Sequence, residues 1–150
     1  FDPDGSIKRC EIVKILALFA EVDTEKYKDV ETFSDVLSDS WYHGFVEWAS
    51  SAGIVNGVGD GAFAPEKCVT REDAAVIIYR FAKLTSDAKD NVTFGDAESI
   101  SEYAADAVRA VCASGIMSGF PDGTFAPKAE LSRAQFCKII FEMMKFTEGK

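Results

Sequence analysis

The sequence is short of the residues that most catalytic and metal chemistry needs. Its one histidine, His43, removes most metal-cluster and catalytic-triad readings. Four cysteines, Cys10, Cys68, Cys112 and Cys137, form no CxxC pair. Their scatter argues against zinc and reads as small core residues or free thiols, not a disulfide framework. Basic residues are also scarce, 16 Lys and Arg against 25 Asp and Glu. A net charge of −9 and a pI near 4.6 exclude a broad basic face, and with it sequence-independent nucleic-acid binding. An anionic ligand must therefore be caught by a local positive site. No apolar run approaches the roughly 18 residues of a membrane-spanning helix, so membrane insertion is not expected. No leader peptide opens the chain. Because the chain opens within a repeat, that absence is expected to reflect a piece of a longer or processed protein, not a cytoplasmic one.

What the sequence does have is core-forming residues and repetition. Of 150 residues, 47% are hydrophobic and 12% aromatic, enough for one domain with a proper core. The stretch GVGDGAFAPEKCVTRED, Gly57 to Asp73, recurs as GFPDGTFAPKAELSRAQ, Gly119 to Gln135, and the chain opens on a third copy, FDPDGSIKRCE. A single step of 62 residues links Phe1, Phe63 and Phe125, then Pro3, Pro65 and Pro127, then Ile7, Val69 and Leu131, then Arg9, Arg71 and Arg133. Such a fixed period marks an internal repeat.

Each copy of the motif runs into a helical pattern. Ile12, Ile15, Leu16 and Phe19 predict a helix over about 7–22; Ala74, Ile77, Ile78 and Phe81 predict one over 70–84; and Phe136, Ile139, Ile140 and Met143 predict one over 132–146. The three are expected to pack about a pseudo-threefold axis, with Ile12, Ala74 and Phe136 in one layer, a small residue offsetting a large one. Thr70 with Asp73, and Ser132 with Gln135, have capping-box spacing; Lys8 breaks that pattern and predicts a weaker start for the first helix. Asp23 to Thr32 reads as a connector with one helical turn. A second helix type is expected over Trp41 to Ala52, with Phe45, Trp48, Ala49 and Ala52 on one face, and over Tyr103 to Ser114. Each ends at a glycine, Gly53 or Gly115. Asp60-Gly61 and Asp122-Gly123 suit tight turns. One domain is expected over 1–150, holding the second half of a first repeat at 1–22, a second repeat at 33–84 and a third at 94–146.

These residues resemble the S-layer homology (SLH) family. The likeness rests on Phe33-Ser34-Asp35-Val36 and its echo Phe94-Gly95-Asp96-Ala97, on Trp41, and on the run Trp48-Ala49 to Gly53-Ile54-Val55. It extends through Gly57-Val58-Gly59-Asp60-Gly61, Phe63 with Pro65, and Val69-Thr70-Arg71-Glu72. It covers nearly the whole chain as about two and a half repeats. Lys8, Cys10, Ala62, Gly95 and Tyr103 depart from the family's usual residues. The resemblance implies an all-α, pseudo-threefold fold with a central three-helix bundle and helix-loop-helix prongs. It also implies a non-enzymatic module, without cofactor, on the extracellular face of a bacterial cell wall. Its inter-repeat grooves would hold a secondary cell wall polysaccharide, often pyruvylated. The family's basic residue maps onto Arg9, Arg71 and Arg133. Groove residues map onto Asp35 with Trp41 and Asp96 with Tyr103, with Gly57, Gly59 and Gly119 lining the turn.

The chemistry of the residues is compatible with those roles. An arginine in a first helical turn sits beside unpaired backbone amides and the positive end of the helix dipole, and its planar fork suits a carboxylate. Trp41 and Tyr103 suit stacking on a sugar, and Asp35 and Asp96 suit its hydroxyls. Each residue also has a plainer reading: the arginines as partners of nearby carboxylates, Trp48 as core, Asp60 and Asp122 as turn residues. Asp2, Asp4, Gly5, Ile7 and Glu11 fit part of an EF-hand calcium loop, but Glu11 falls where the other copies carry a helix cap. A second function class is a structural or protein-interaction module with incomplete glycan grooves. It predicts exposed apolar surface on the first and third core helices, covered by self-association or a partner segment that completes the first repeat. No catalytic constellation supports an enzyme.

Overall fold

A computed structural model describes residues 2–87 and 91–149. Among these the chain forms five α-helices: α1 Arg9–Phe19, α2 His43–Ser51, α3 Arg71–Phe81, α4 Ala105–Ala113 and α5 Arg133–Glu148. Extended backbone occurs only as isolated bridges, so the fold is all-α as expected. The connector after α1 holds one 3₁₀ turn, Thr24–Tyr27, whose Asp23 cap accepts the Glu25 N–H. Most helices are shorter than the hydrophobic pattern suggests. Trp41 lies ahead of α2, and the expected opening of α4 is instead a 3₁₀ turn, Glu102–Ala104. α2 and α4 stop where Gly53 and Gly115 adopt φ of 70° and 77°, left-handed values that close a helix.

The chain divides into two compact units, one of Lys8–Cys68 and one of Phe1–Ile7 with Val69–Lys150. In the first, α1 packs on α2; in the second, α3 packs on α4, and α5 belongs to the same unit. Each unit therefore joins the closing helix of one repeat to the opening half of the next. The buried faces follow the periodicity: Ile12, Val13, Leu16 and Ala17 on α1, Ala74, Ala75, Ile77 and Ile78 on α3, and Phe136, Ile139 and Met143 on α5. Ile15, Phe19, Phe81 and Ile140, expected on the same stripes, are only half-buried.

An α-helix leaves its first N–H groups without partners inside the helix. Here the neighbouring repeat supplies them. In the first unit Arg9 and Cys10 donate to the carbonyls of Lys67 and Pro65; in the second, Arg71 and Glu72 donate to Ala129 and Pro127, while Arg133 and Ala134 donate to Gly5 and Pro3. The second unit also contains a closed ring of three backbone bonds, Ile7 N–H to Leu131, Leu131 N–H to Val69 and Val69 N–H to Ile7, each 2.9 Å. All three side chains are buried. Positions related by the 62-residue step thus meet directly.

The remaining helix-start amides are met locally. The Ser132 hydroxyl accepts the Gln135 N–H while Gln135 Oε1 accepts the Ser132 N–H, a complete capping box. Thr70 Oγ1 accepts the Asp73 N–H at 3.3 Å. Lys8 has no side-chain acceptor, but its own N–H is held by the Glu11 carboxylate at 2.8 Å. Loss of a hydroxyl cap costs about 1 kcal/mol. Ser132→Ala is therefore expected to destabilise the chain by about that much, whereas Lys8→Ala leaves helix capping unchanged; urea denaturation followed by circular dichroism measures the difference.

Candidate ligand-binding site

The two units build the same clamp around an arginine at the start of a helix. In the first, Arg9 Nε donates to the Phe63 carbonyl and Nη2 to the Asn56 carbonyl, both at 2.8 Å. In the second, Arg71 Nε donates to Phe125 at 2.7 Å and Nη2 to Ser118 at 2.9 Å. Arg9 is 9% exposed and Arg71 5%. The Arg9 guanidinium carbon lies 4.4 Å from the centre of the Phe63 ring. That of Arg71 lies 4.5 Å from Phe120 and 4.8 Å from Phe125. Such contacts stabilise a cation by about 0.5–2 kcal/mol. Burial pulls the Arg71 pKa down from its usual value, and Asp96 acts against that shift. An arginine remains protonated at ordinary pH.

A carboxylate locks the loop that the arginine grips. Asp35 accepts the N–H groups of Phe63 and Ala64, both at 2.8 Å; Asp96 accepts those of Phe125 and Ala126 at 2.9 and 2.8 Å. Ala64 and Ala126 adopt φ of 57° and 53°, which an alanine rarely takes. The carboxylate holds the strained residue from its own N–H. Both aspartates, expected as sugar contacts, thus also shape the loop, and each oxygen keeps further acceptor capacity. Gly57 and Gly119 are needed for close packing: a Cβ on Gly57 would meet the Ala62 carbonyl at 2.6 Å, and one on Gly119 would meet Phe94 Cε1 at 2.5 Å and the Thr124 carbonyl at 2.7 Å. Gly59 has open space around its Cα but a φ of 115°.

In the second unit the clamp borders a pocket. Arg71, Gly115 to Pro121, and Gln135, Lys138, Ile139 and Glu142 of α5 enclose about 460 Å³. The Nε and Nη2 edge of Arg71 is taken by loop carbonyls, while Nη1 has no hydrogen-bond partner among the described residues. The guanidinium end is thus a buried cation facing a cavity. The amides expected to assist it do not: those of Arg71 and Glu72 are paired with Ala129 and Pro127, so any charge recognition rests on side chains.

The aromatic residues are placed differently in the two units. Trp41 is 55% exposed, its ring 5.2 Å from the Lys14 ammonium and edge-on to Tyr42. Trp48 is buried, as its place on the stripe indicates. Tyr103 is 64% exposed, but its hydroxyl donates to Asp73 at 2.7 Å and contacts Glu72 at 3.3 Å. Tyr103 does not line the Arg71 pocket; Gly119 does. Arg133 is half-buried, with its N–H on Gly5. Of the calcium-loop candidates, Glu11 serves the helix cap and Asp2 accepts the Gly5 N–H. All four cysteines are free thiols, with Cys137 exposed. Phe120, Gln135 and Lys138 were not expected at the site. Phe120 and Gln135 both lie within the repeat motif, a signal that was available; nothing in the motif points to Lys138.

The sequence profile of the S-layer homology domain matches residues 32–75 and 93–137. The chain belongs to that family. Modules of the family fasten proteins to the bacterial cell surface and are not themselves catalytic, which places the chain at the cell wall. A cellulosome-anchoring protein of Acetivibrio thermocellus is 27% identical over 146 residues, covering 93% of this chain and 32% of that protein. An S-layer protein of Bacillus anthracis is 27% identical over 110 residues, 73% of this chain and 12% of its own length. An amylopullulanase of Thermoanaerobacterium thermosulfurigenes is 33% identical over 149 residues, 97% of this chain but only 8% of the enzyme. The SLH chain thus spans no more than about a third of these relatives. No helix among its described residues is long and apolar enough to cross a membrane.

Beside Arg71, the buried Glu72 carboxylate ties the helix start to the loops. It accepts from the Ser101 N–H and hydroxyl and from Lys128. Burial pushes its pKa up, but the hydrogen bonds from Lys128 and Ser101 outweigh burial and hold it below the usual carboxylate value. A carboxyl with a depressed folded pKa stabilises fully above its unfolded value, about 4.3, and loses that contribution as pH falls through the folded value. Glu72→Gln is expected to flatten the acid limb of the stability curve below about pH 4.3; denaturant midpoints across that range measure it.

Proposed function

We propose that this SLH chain binds a secondary cell wall polysaccharide bearing ketal-linked pyruvate, through the arginine clamps of its two units. The observation that carries this reading is Arg71, a nearly buried guanidinium whose unbonded end faces an open pocket. A cation desolvated to this degree favours an anionic partner, and a pyruvyl carboxylate matches the two-pronged geometry of that end. Arg9, with Asp35 and the exposed Trp41, supplies the related elements in the other unit; Asp96, Tyr103 and Arg133 remain candidate contacts, as do Gly57, Gly59 and Gly119 at the turns. A local cation also suits an acidic protein that must approach an acidic polymer.

The test is titration calorimetry with purified wall polysaccharide, before and after chemical removal of pyruvate, on the wild type and on Arg9→Ala and Arg71→Ala. Binding is expected to require pyruvate, and each variant is expected to lose one binding event. Undiminished binding by a folded double variant would sink the proposal. A second reading is a protein-interaction module. It is favoured by exposed apolar residues on the first and third core helices, Leu18 on α1 and Phe141 and Met144 on α5. Light scattering separates the two: a monomer that binds glycan supports the first.

A further inference from the structure

The pocket at Arg71 has a second wall, built by α5. Gln135, Lys138, Ile139 and Glu142 of α5 face the turn that carries Ser118, Gly119 and Phe120. Gln135 and Lys138 are one helical turn apart and so share a face. The side-chain oxygen of Gln135 is fixed on the Ser132 N–H, which leaves its amide N–H groups as the unpaired end. Lys138 is exposed and has no ion-pair or hydrogen-bond partner among the described residues. The one acid of the wall, Glu142, is bound to Lys145 at 3.0 Å. The pocket therefore presents two cationic groups and an amide donor around apolar surface from Phe120 and Ile139. By the 62-residue step, the positions of Gln135 and Lys138 on α3 hold Asp73 and Val76, and that of Phe120 holds Val58. On α1 the same positions hold Glu11 and Lys14, so the lysine recurs there and only its pairing with an amide side chain is confined to the last repeat.

We propose that Lys138 and Gln135 are specificity-determining residues of the Arg71 site, which takes an acidic sugar at two points. A carboxylate meets the free end of Arg71, and a second anionic or hydroxyl oxygen of the same glycan meets Lys138 and Gln135. Phe120 forms the apolar wall between them. This rests on the reading of the Arg71 pocket as a glycan site, and it adds that α5 selects the ligand.

Calorimetry on the full chain with pyruvylated wall polysaccharide tests it. Arg71→Ala defines the binding event that belongs to this pocket. Lys138→Glu is expected to weaken that event at least about tenfold, the value of one charge-assisted hydrogen bond. Lys138→Ala weakens it less and lowers its salt dependence. Gln135→Glu keeps an acceptor for the Ser132 cap but loses the donors, and is expected to weaken binding without lowering the melting temperature. Lys26→Glu, the same charge change outside the pocket, leaves affinity unchanged. Wild-type affinity in Lys138→Glu and Gln135→Glu, with Arg71→Ala still defective, would overturn the role of α5 and leave the glycan reading standing. Equal weakening by Lys26→Glu overturns it too, as general electrostatics. Absence of binding by the folded wild type removes both.

Discussion

The first amides of a helix must find partners outside it, and in this SLH chain they find them in the adjoining repeat. Arg9 and Cys10 are met by Lys67 and Pro65, Arg71 and Glu72 by Ala129 and Pro127, Arg133 and Ala134 by Gly5 and Pro3. Main-chain bonds of this kind depend little on side-chain identity, so the pattern survives exchange of Glu72 for Cys10 or Ala134 at the equivalent position. With those amides occupied, the first helical side chain, an arginine in all three copies, is left to reach outward. In α1 and α3 that side chain is the arginine that crosses to the next repeat's loop and holds it by two carbonyls.

The loop in turn makes the arginine useful. Asp35 and Asp96 hold an alanine at positive φ immediately after a buried phenylalanine. That geometry brings the Phe63 or Phe125 carbonyl to the arginine and the ring to its face. The Arg71 guanidinium is therefore positioned on its Nε–Nη2 edge by neutral acceptors. A rigid, desolvated cation is a stronger recognition element than a surface arginine, because little entropy remains to be lost when an anion arrives. The two units are nevertheless not copies in chemistry. Tyr103 is tethered through Glu72 and Asp73, whereas Trp41 stands over Lys14.

Much of the fold was legible in the sequence because it is written several times. The helical stripes, Gly53 and Gly115 as stops, the cap at Ser132 and the buried Trp48 all follow from periodicity and local chemistry. What was not legible depends on contacts across about fifty residues. Nothing in Phe-Ala-Pro announces a left-handed alanine, since alanine carries no turn signal. The expectation of open helix-start amides beside the arginines failed because their acceptors lie in another repeat. Lys138 and Gln135 were missed for a similar reason: they sit on a helix read as core, on the face that turns out to bound a cavity. The half-buried Ile140 shows the same limit of reading a stripe without its partner.

The phase difference between repeat and folded unit bears on how such a chain can lengthen or recombine. A segment excised at the sequence repeat, 33–84, carries the Asn56 and Phe63 carbonyls without Arg9, and Arg71 without Ser118 and Phe125. Duplicating a whole period restores every clamp wherever the break falls, because each repeat receives from its predecessor what it passes to its successor. A crossover between unlike repeats creates mixed clamps, in which one parent's arginine meets the other parent's loop. The repeat that the sequence duplicates is therefore out of phase with the compact unit, and a crossover falls on the bonds that build the clamp.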